Sequence, residues 1–156
     1  MAPSLTPLSQ AETALQSHMA AGAVAGLIPI PLVGFAALTA VQLNMLRHLA
    51  EIYSAEFSKE IAKSAIASLV GSDLSVGISL GVAKLLPGPA VAISAVSGAI
   101  LGTASTYALG KVFIQHFESG NTFLTFDPSK VRAHYQELFS VSKSEHVPGR
   151  FVGIRP

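Results

Sequence analysis

Three observations of the sequence predict an all-α protein, in which two consecutive helical hairpins form a four-helix unit and a short C-terminal amphipathic helix follows. Two Pro-x-Pro turns, at Pro29 and Pro31 and again at Pro87 and Pro89, interrupt long apolar runs. The arms beside these turns carry almost no charge, and glycines recur along them at four-residue spacing. Because proline lacks an amide donor and disfavours helix at the preceding residue, each turn ends one helix and starts another.

The composition lies between that of soluble proteins and that of membrane proteins. Of 156 residues, 50% are hydrophobic and only 12% are charged, and the mean hydropathy is +0.52. The chain has no Trp, whereas Trp is typical of the interfacial belts of membrane-spanning proteins. A net charge of +1 without a dense basic cluster argues against nucleic acid as a partner. The absence of Cys fits a reducing compartment.

The length predicts one domain, with a short segment at each end. Residues 1–10 are expected to form a flexible lead, in which Ser9 is the candidate cap of the first helix. The helical domain is predicted at 11–139, with hairpins at 11–58 and 59–118 and a C-terminal helix at 127–139. A mobile tail is expected at 140–156.

The first hairpin has an unusually apolar tip. Residues 13–46 contain no Lys, Arg, Asp or Glu, and the turn is formed by Ile28, Pro29, Ile30 and Pro31. Exposed turns usually contain Asn, Asp or Ser. The apolar neighbours therefore indicate a tip that is covered by lipid or by a partner. Beyond the tip, the second arm becomes amphipathic and its polarity rises.

The second tip resembles the first. Residues 24–33 and 82–91 are identical at six of ten positions, and the second tip consists of Leu85, Leu86, Pro87 and Pro89. Two stacked hairpins of this kind would bring both tips to one end of the molecule, which we call the apolar pole. The charged bend at 47–63 and the outer ends of the arms would lie at the opposite end, the polar pole.

Small residues predict the face on which the helices pack. Spacing of four residues relates Gly22 to Gly26, Gly77 to Gly81, and Gly98 to Gly102, with Gly110 two turns further on. In lipid, such bare faces allow helices to approach closely. Residues 85–110 contain no formal charge and are the strongest membrane candidate of the sequence. A soluble bundle rich in Ala and Gly is the alternative interpretation.

The C-terminal part changes composition. Asp127 and Pro128 predict a helix start, with Asp127 as the cap and Pro128 at the first position. The candidate partner surface consists of Phe113, His116, Phe117, Glu118 and Tyr135. The tail carries a small positive charge, which gives only a weak attraction to anionic lipid.

The sequence contains no motif that predicts catalysis, a cofactor or a metal. The only candidate grouping is His116, Glu118 and His134, and an enzyme that used these residues is the third hypothesis. Residues 116 and 118 point about 200° apart on a helix, so they cannot both ligate one ion without a break there. The Gly110-Lys111 pair also lacks the flanking residues of a phosphate-binding loop. We therefore expect a protein that is not an enzyme.

Three segments resemble a known family. They are 26–31 (Gly-Leu-Ile-Pro-Ile-Pro), 37–43 (Ala-Leu-Thr-Ala-Val-Gln-Leu) and above all 106–122, which includes Tyr107-Ala108 and His116-Phe117-Glu118. Together they are similar to the bacterial domain of unknown function 697 over about 15–139. The chain departs from the family pattern at Asn121, where a second Gly is expected.

The resemblance implies a membrane context. Domains of this family occur alone or behind an Era-like GTPase domain, and related proteins are predicted inner-membrane proteins. It implies no enzymatic activity for the domain itself. Because this chain lacks the GTPase half, a GTPase would have to act in trans.

These observations give two functional hypotheses of different class. The first is a homo-oligomeric, membrane-associated adaptor that inserts its apolar pole into the cytoplasmic side of a bacterial inner membrane. The second is a soluble, cytoplasmic scaffold or interaction module that self-assembles through its glycine faces and buries its tips between subunits.

Overall fold

The computed structural model describes residues 4–71 and 89–145, and every regular element in these ranges is helical. The α-helices are α1 (Pro7–Gly26), α2 (Pro31–Ile52), α3 (Lys59–Leu69), α4 (Pro89–Glu118) and α5 (Pro128–Glu145), and a 3-10 turn covers Phe123–Thr125. The predicted all-α fold class is therefore confirmed. Leu85, Leu86, Pro87, Gly77 and Gly81 lie outside the described residues.

Helix α1 begins earlier than predicted. Its cap is Thr6, whose Oγ1 accepts a hydrogen bond from the amide of Ser9 at 3.2 Å, and Pro7 occupies the first helical position. Proline is favourable there because the amide of that position needs no donor. Residues 7–10 thus belong to the helix and not to a flexible lead, and Ser9 is a helical residue instead of the cap.

Backbone hydrogen bonds close the turn between α1 and α2. The amides of Leu27 and Ile28 donate to the carbonyl oxygens of Val24 and Ala25 at 3.1 and 3.2 Å. Ile30 occupies the cap position of α2 without a side-chain hydrogen bond, and Pro31 is the first residue of the helix. The fixed φ of proline thus starts α2 where no polar cap is present.

The packing of α1 and α2 on α4 fixes the orientation of the molecule. Gly26 lies against Gly98 and Gly22 against Gly102, so α1 and α4 are antiparallel. Gly34 lies near Ala25 and Asn44 reaches His18, so α2 is antiparallel to α1 and therefore parallel to α4. Gln42 of α2 reaches Ser105 of α4. The first tip therefore lies at the same end of the molecule as the start of α4.

Burial increases from the apolar pole to the polar pole. No side chain described between 27 and 41, or between 96 and 101, is buried. Along α2 the core begins at Gln42 and continues through Met45, Leu46 and Leu49. Rings of the last turns of α4 and of the following segment form an aromatic cluster at the polar pole, in which Phe113 stacks on Phe126 with ring centroids 4.3 Å apart.

The C-terminal helix packs on α4 and α3 and is longer than predicted. Asp127 accepts hydrogen bonds from the amide and the hydroxyl of Ser129 at 3.0 and 2.6 Å, and these bonds hold the pKa of Asp127 below its usual range. The helix then continues to Glu145 instead of ending at 139. Ser142 is buried, which ties the last turns to the domain. The segment 140–145 is thus part of α5 and not of a tail.

Candidate membrane and partner surfaces

The apolar pole exposes large hydrophobic side chains. Six of them are exposed around the first tip and near the start of α4: Val24, Leu27, Ile30, Leu32, Val33 and Val96. Leu32 is 82% exposed, as in an unfolded chain. Among the predicted tip residues, Pro29 and Ile30 are exposed and Ile28 is half-buried. Contiguous apolar surfaces of this kind mark contacts with proteins or membranes.

One helix of the described ranges is long and apolar enough to cross a membrane. It is the stretch Leu32–Ile52, with a mean hydropathy of 1.2 in its most apolar window, of which 22% is buried within the protein. The core helix of a soluble protein can meet the same criteria. Arg47, His48 and Glu51 in its second half are exposed.

Glycines allow α1 and α4 to touch backbone to backbone. A Cβ atom on Gly26 would overlap the carbonyl of Gly98, and one on Gly102 would overlap the carbonyl of Gly22. A Cβ atom on Gly22 would lie 2.6 Å from Thr106 Oγ1 and 2.8 Å from the Gly102 oxygen. Gly110 differs, since a Cβ atom there would meet the side chains of Leu15 and Met45.

A polar contact lies beside this apolar crossing. Gln42 is fully buried, and its Nε2 atom donates to Ser105 Oγ at 3.2 Å, with Thr106 Oγ1 3.5 Å away. The other end of the amide, Oε1, has no hydrogen-bond partner among residues 4–71 and 89–145. The sequence around Gln42 does not predict this buried contact, because a lone Gln on an amphipathic helix gives no indication that it faces the core.

Three residues of the predicted partner surface lie in the core instead. Phe113 and Tyr135 are fully buried, and Phe117 is 5% exposed. Phe113 and Phe117 belong to the aromatic cluster, and the ring of Tyr135 stacks on that of Phe139. The apolar stripe of α4 is thus covered by the segment that follows it, which is why these side chains are not available to a partner. Only His116, half-buried, and Glu118, exposed, retain access to solvent.

The candidate metal grouping is not assembled in the described part of the chain. His116 Nε2 lies 2.7 Å from the carbonyl oxygen of Thr122, and His134 Nε2 lies 2.7 Å from Gln115 Oε1. Glu118 accepts a hydrogen bond from the Tyr53 hydroxyl at 2.5 Å. No group of three or more His, Asp or Glu residues with metal-binding geometry is found among the residues described.

Two polar contacts join distant helices near the polar pole. Lys111 of α4 forms an ion pair with Glu12 of α1. Tyr53 follows α2 and bonds to Glu118 at the end of α4. Partial burial, together with the hydrogen bond to Glu118 and the nearby negative charge, raises the pKa of the Tyr53 hydroxyl well above its usual range.

Comparison with known proteins gives two matches and one negative result. The family model described as "Domain of unknown function (DUF697)" matches residues 8–144. The chain is similar to "Magnetosome membrane protein 22" of Magnetospirillum gryphiswaldense, with 34% identity over 138 residues, or 86% of this chain and 71% of the relative. No solved structure was found to match. The extent of the family match, supported by this relative, means that the chain belongs to the family of the domain of unknown function DUF697.

Proposed function

We propose that this chain is a non-enzymatic, membrane-associated helical-hairpin protein that inserts its apolar pole into the cytoplasmic face of a bacterial inner membrane. At the membrane it serves as an adaptor for another protein. The observation that carries the proposal is the group of exposed apolar side chains around the first tip. Leu27, Ile30, Leu32 and Val33 would be unfavourable at a hairpin tip in contact with water.

The geometry of α2 favours insertion of a hairpin over a spanning helix. Half of a bilayer's hydrocarbon core is about 15 Å thick, which an α-helix covers with about ten residues. Ten residues from Leu32 reach Val41, and no described side chain in this stretch is buried by the protein. Arg47, His48 and Glu51 follow within three turns and are exposed to solvent. Moving them into hydrocarbon would be costly, whereas one leaflet accommodates the apolar segment alone.

The relative supports the same environment. Its name describes it as a membrane protein of the magnetosome, and the similarity extends over 86% of this chain. The family model, which matches residues 8–144, also covers the first tip and α2.

We further propose that the partner is a GTPase that acts in trans, and that the chain forms homo-oligomers. The family resemblance implies the GTPase, since such domains also occur behind an Era-like GTPase domain. The test is the GTP hydrolysis rate of an Era-like GTPase from the same bacterium, measured with vesicles that carry the chain. Vesicles without the chain are the control, and equal rates would contradict the adaptor role.

Two matched leucines test the membrane proposal. Leu32 at the apolar pole is 82% exposed and Leu124 at the polar pole is 83% exposed. Leu32→Asp should weaken binding to phosphatidylglycerol vesicles by about 3 kcal/mol or more, because an Asp inside the bilayer costs that much relative to Leu. Flotation on a density gradient measures the bound fraction.

Leu124→Asp introduces the same charge and should float like the unchanged chain. Asp is also favourable in the first turn of α2, so Leu32→Asp is expected to fold. Equal flotation of the two variants, or recovery of the chain as a soluble monomer without detergent, would contradict the proposal.

A soluble scaffold is the second candidate, because other subunits could also cover the apolar pole. The glycine faces give it less support than expected. Gly22, Gly26, Gly98 and Gly102 already form the contact between α1 and α4 within one chain. Size-exclusion chromatography with light scattering separates the two candidates, since a defined oligomer in the absence of detergent favours the scaffold.

A further inference from the structure

A cavity of about 260 Å³ lies between α2, α3 and α4. Apolar side chains form most of its wall: Phe35, Leu38, Ile66, Ala67, Val70 and Leu101. A cavity of about 150 Å³ is already sufficient for benzene when its walls are apolar. The space is therefore large enough for a segment of an alkyl chain.

The polar side chains that line the cavity are Thr39, Gln42, Lys63 and Ser105. Gln42 and Ser105 are paired across α2 and α4, and Lys63 is the first residue of α3 that lines the cavity. Phe35 and Leu101 lie on the opposite side of these residues, toward the apolar pole. From Phe35 to Gln42 the cavity follows α2 for seven residues, or about 10 Å. The cavity is thus apolar toward the tip and polar toward the middle of the molecule.

Two groups at the polar end lack partners within the described ranges. Gln42 is fully buried, and its Oε1 atom has no hydrogen-bond partner, which is costly for a buried amide. Lys63 is exposed, and none of the ion pairs found among the residues described involves it. A negative head group would pair with Lys63, and a ligand that also carries a hydroxyl, as lysophosphatidylglycerol does, would donate a hydrogen bond to Gln42 Oε1.

We propose that this cavity binds one acyl chain of an anionic amphiphile, with the head group at Lys63 and the chain directed toward the apolar pole. The direction of the chain rests on the proposed insertion of that pole. A lipid of the leaflet that receives the pole has the same orientation, with its head toward water and its tail toward the bilayer centre. The exposed residues Lys63 and Ala67 mark the opening of the cavity.

The test uses a fatty acid that carries a photoactivatable diazirine on its chain. The full chain in phosphatidylcholine nanodiscs is irradiated with the probe, and the crosslinked peptides are identified by mass spectrometry. We expect saturable crosslinking to residues 35–42 and 63–71. Lipid that only surrounds the protein would instead label the tip at 27–33 without saturation.

Variants of α3 separate the cavity from the outer surface. Ala67→Phe should lower crosslinking at 35–42 about tenfold or more, because the ring occupies the space. Ser64→Phe adds the same ring to an exposed position of α3 that does not line the cavity. This variant should change the crosslinking at 35–42 less than twofold. Thr39→Phe fills the space from α2 and provides a second test. Circular dichroism establishes that each variant is folded.

The charge of Lys63 is tested separately. Lys63→Gln should weaken binding of the acidic probe about fivefold, as expected for a partly solvated ion pair, and should not affect its methyl ester. Lys59→Gln is the matched control. Competition with decanoate and with lysophosphatidylglycerol identifies the source of the acyl chain, since the competitor that acts at lower concentration is the better ligand.

Equal labelling of the cavity peptides in Ala67→Phe and Ser64→Phe, or failure of both competitors, would overturn the inference. These outcomes leave the proposed membrane insertion untouched, because vesicle flotation measures it independently. Conversely, if the chain does not float with vesicles, crosslinking in solution still tests the cavity. Saturable labelling there that Ala67→Phe abolishes would support the acyl-chain site without a membrane.

Discussion

At the scale of single residues, the close packing of α1 and α4 depends on whether each glycine faces backbone atoms or side-chain atoms. Gly102 faces the backbone of Gly22, which cannot move without separating the helices. Gly110 lies on the same helix, but its neighbours are the flexible side chains of Leu15 and Met45. The two glycines therefore differ in their expected tolerance to a methyl group.

Gly102→Ala should lower the free energy of unfolding by about 2 kcal/mol, because overlap with a backbone exceeds the gain in helix propensity. For Gly110→Ala we expect a change within about 1 kcal/mol, since the side chains can shift and the same propensity is gained. Chemical denaturation in detergent, followed by circular dichroism, measures both. Equal effects of the two substitutions would contradict the backbone contact.

The hydroxyl of Tyr53 gives a prediction that depends on pH. Tyr53→Phe removes the hydrogen bond to Glu118 and should cost about 1 kcal/mol near neutral pH. Because the pKa of the Tyr53 hydroxyl is raised in the folded protein, this stabilisation is fully present below the ordinary tyrosine pKa of about 10 and is lost as the pH rises above it. Denaturation at pH 7 and pH 11 should therefore reveal a difference between the two chains that shrinks at the higher pH. A constant difference would count against the hydrogen bond.

At the scale of elements, a helix start follows from local chemistry where a capping residue precedes a proline. Pro128 lies at the predicted first helical position, whereas Pro31, which was assigned to the turn, is the first residue of α2. Thr6-Pro7 has the same pattern as Asp127-Pro128 and identifies the true start of α1, although Ser9 was preferred. The predicted stop after Glu118 agrees with Gly120, whose φ of 78° is a left-handed conformation that suits glycine.

The partners of the helices were harder to predict, because spacing along one helix does not identify what covers it. The helix face that contains Phe113 and Phe117 would have the same apolar sequence pattern whether it bound another protein or packed within its own chain. In the structure Phe123 and Phe126 cover it. Similarly, the glycine spacing indicated a packing face without indicating that Gly22 would meet Gly102.

Helix α5 should depend on one buried ring. Tyr135→Ala should destabilise the domain by about 3–5 kcal/mol, since the ring is fully buried. Arg132→Ala on the exposed side of the same helix should change the stability by less than about 0.5 kcal/mol. Hydrogen exchange provides the measurement, and the amides of α5 should lose more protection than those of α1. Equal loss in both helices would indicate that α5 does not open by itself.

At the scale of the whole molecule, the two ends have opposite character. The core of the described residues lies toward the polar pole, where aromatic rings and helices α3 and α5 enclose the ends of α2 and α4. The opposite end exposes aliphatic side chains. At an interface between water and an apolar phase, a molecule of this kind is expected to place its polar pole in water and its apolar pole in the apolar phase.

Single cysteines can measure this direction, because the chain contains none of its own. Leu32→Cys and Leu124→Cys should react with a water-soluble maleimide at similar rates in the absence of lipid, since both positions are more than 80% exposed. On binding to vesicles, the reaction at position 32 should slow by about tenfold or more, whereas that at position 124 should not change.

Glu51→Cys distinguishes insertion from spanning. If only one leaflet receives the hairpin, position 51 stays reactive to reagent added outside the vesicles, and position 32 is protected from both sides. Reactivity of position 32 from the vesicle interior would instead indicate that α2 crosses the bilayer.

The antiparallel contact of α1 with α4 has a consequence for biosynthesis. Gly26 and Gly98 are separated by 72 residues, so a ribosome completes the first tip long before it makes the helix that supports α1. Domains are generally synthesised and folded from the N-terminal end. During that interval the apolar turn and the glycine face of α1 are both exposed, and a nearby bilayer or a chaperone can bind them. Translation therefore produces the apolar first tip well before α4, the helix that packs against α1.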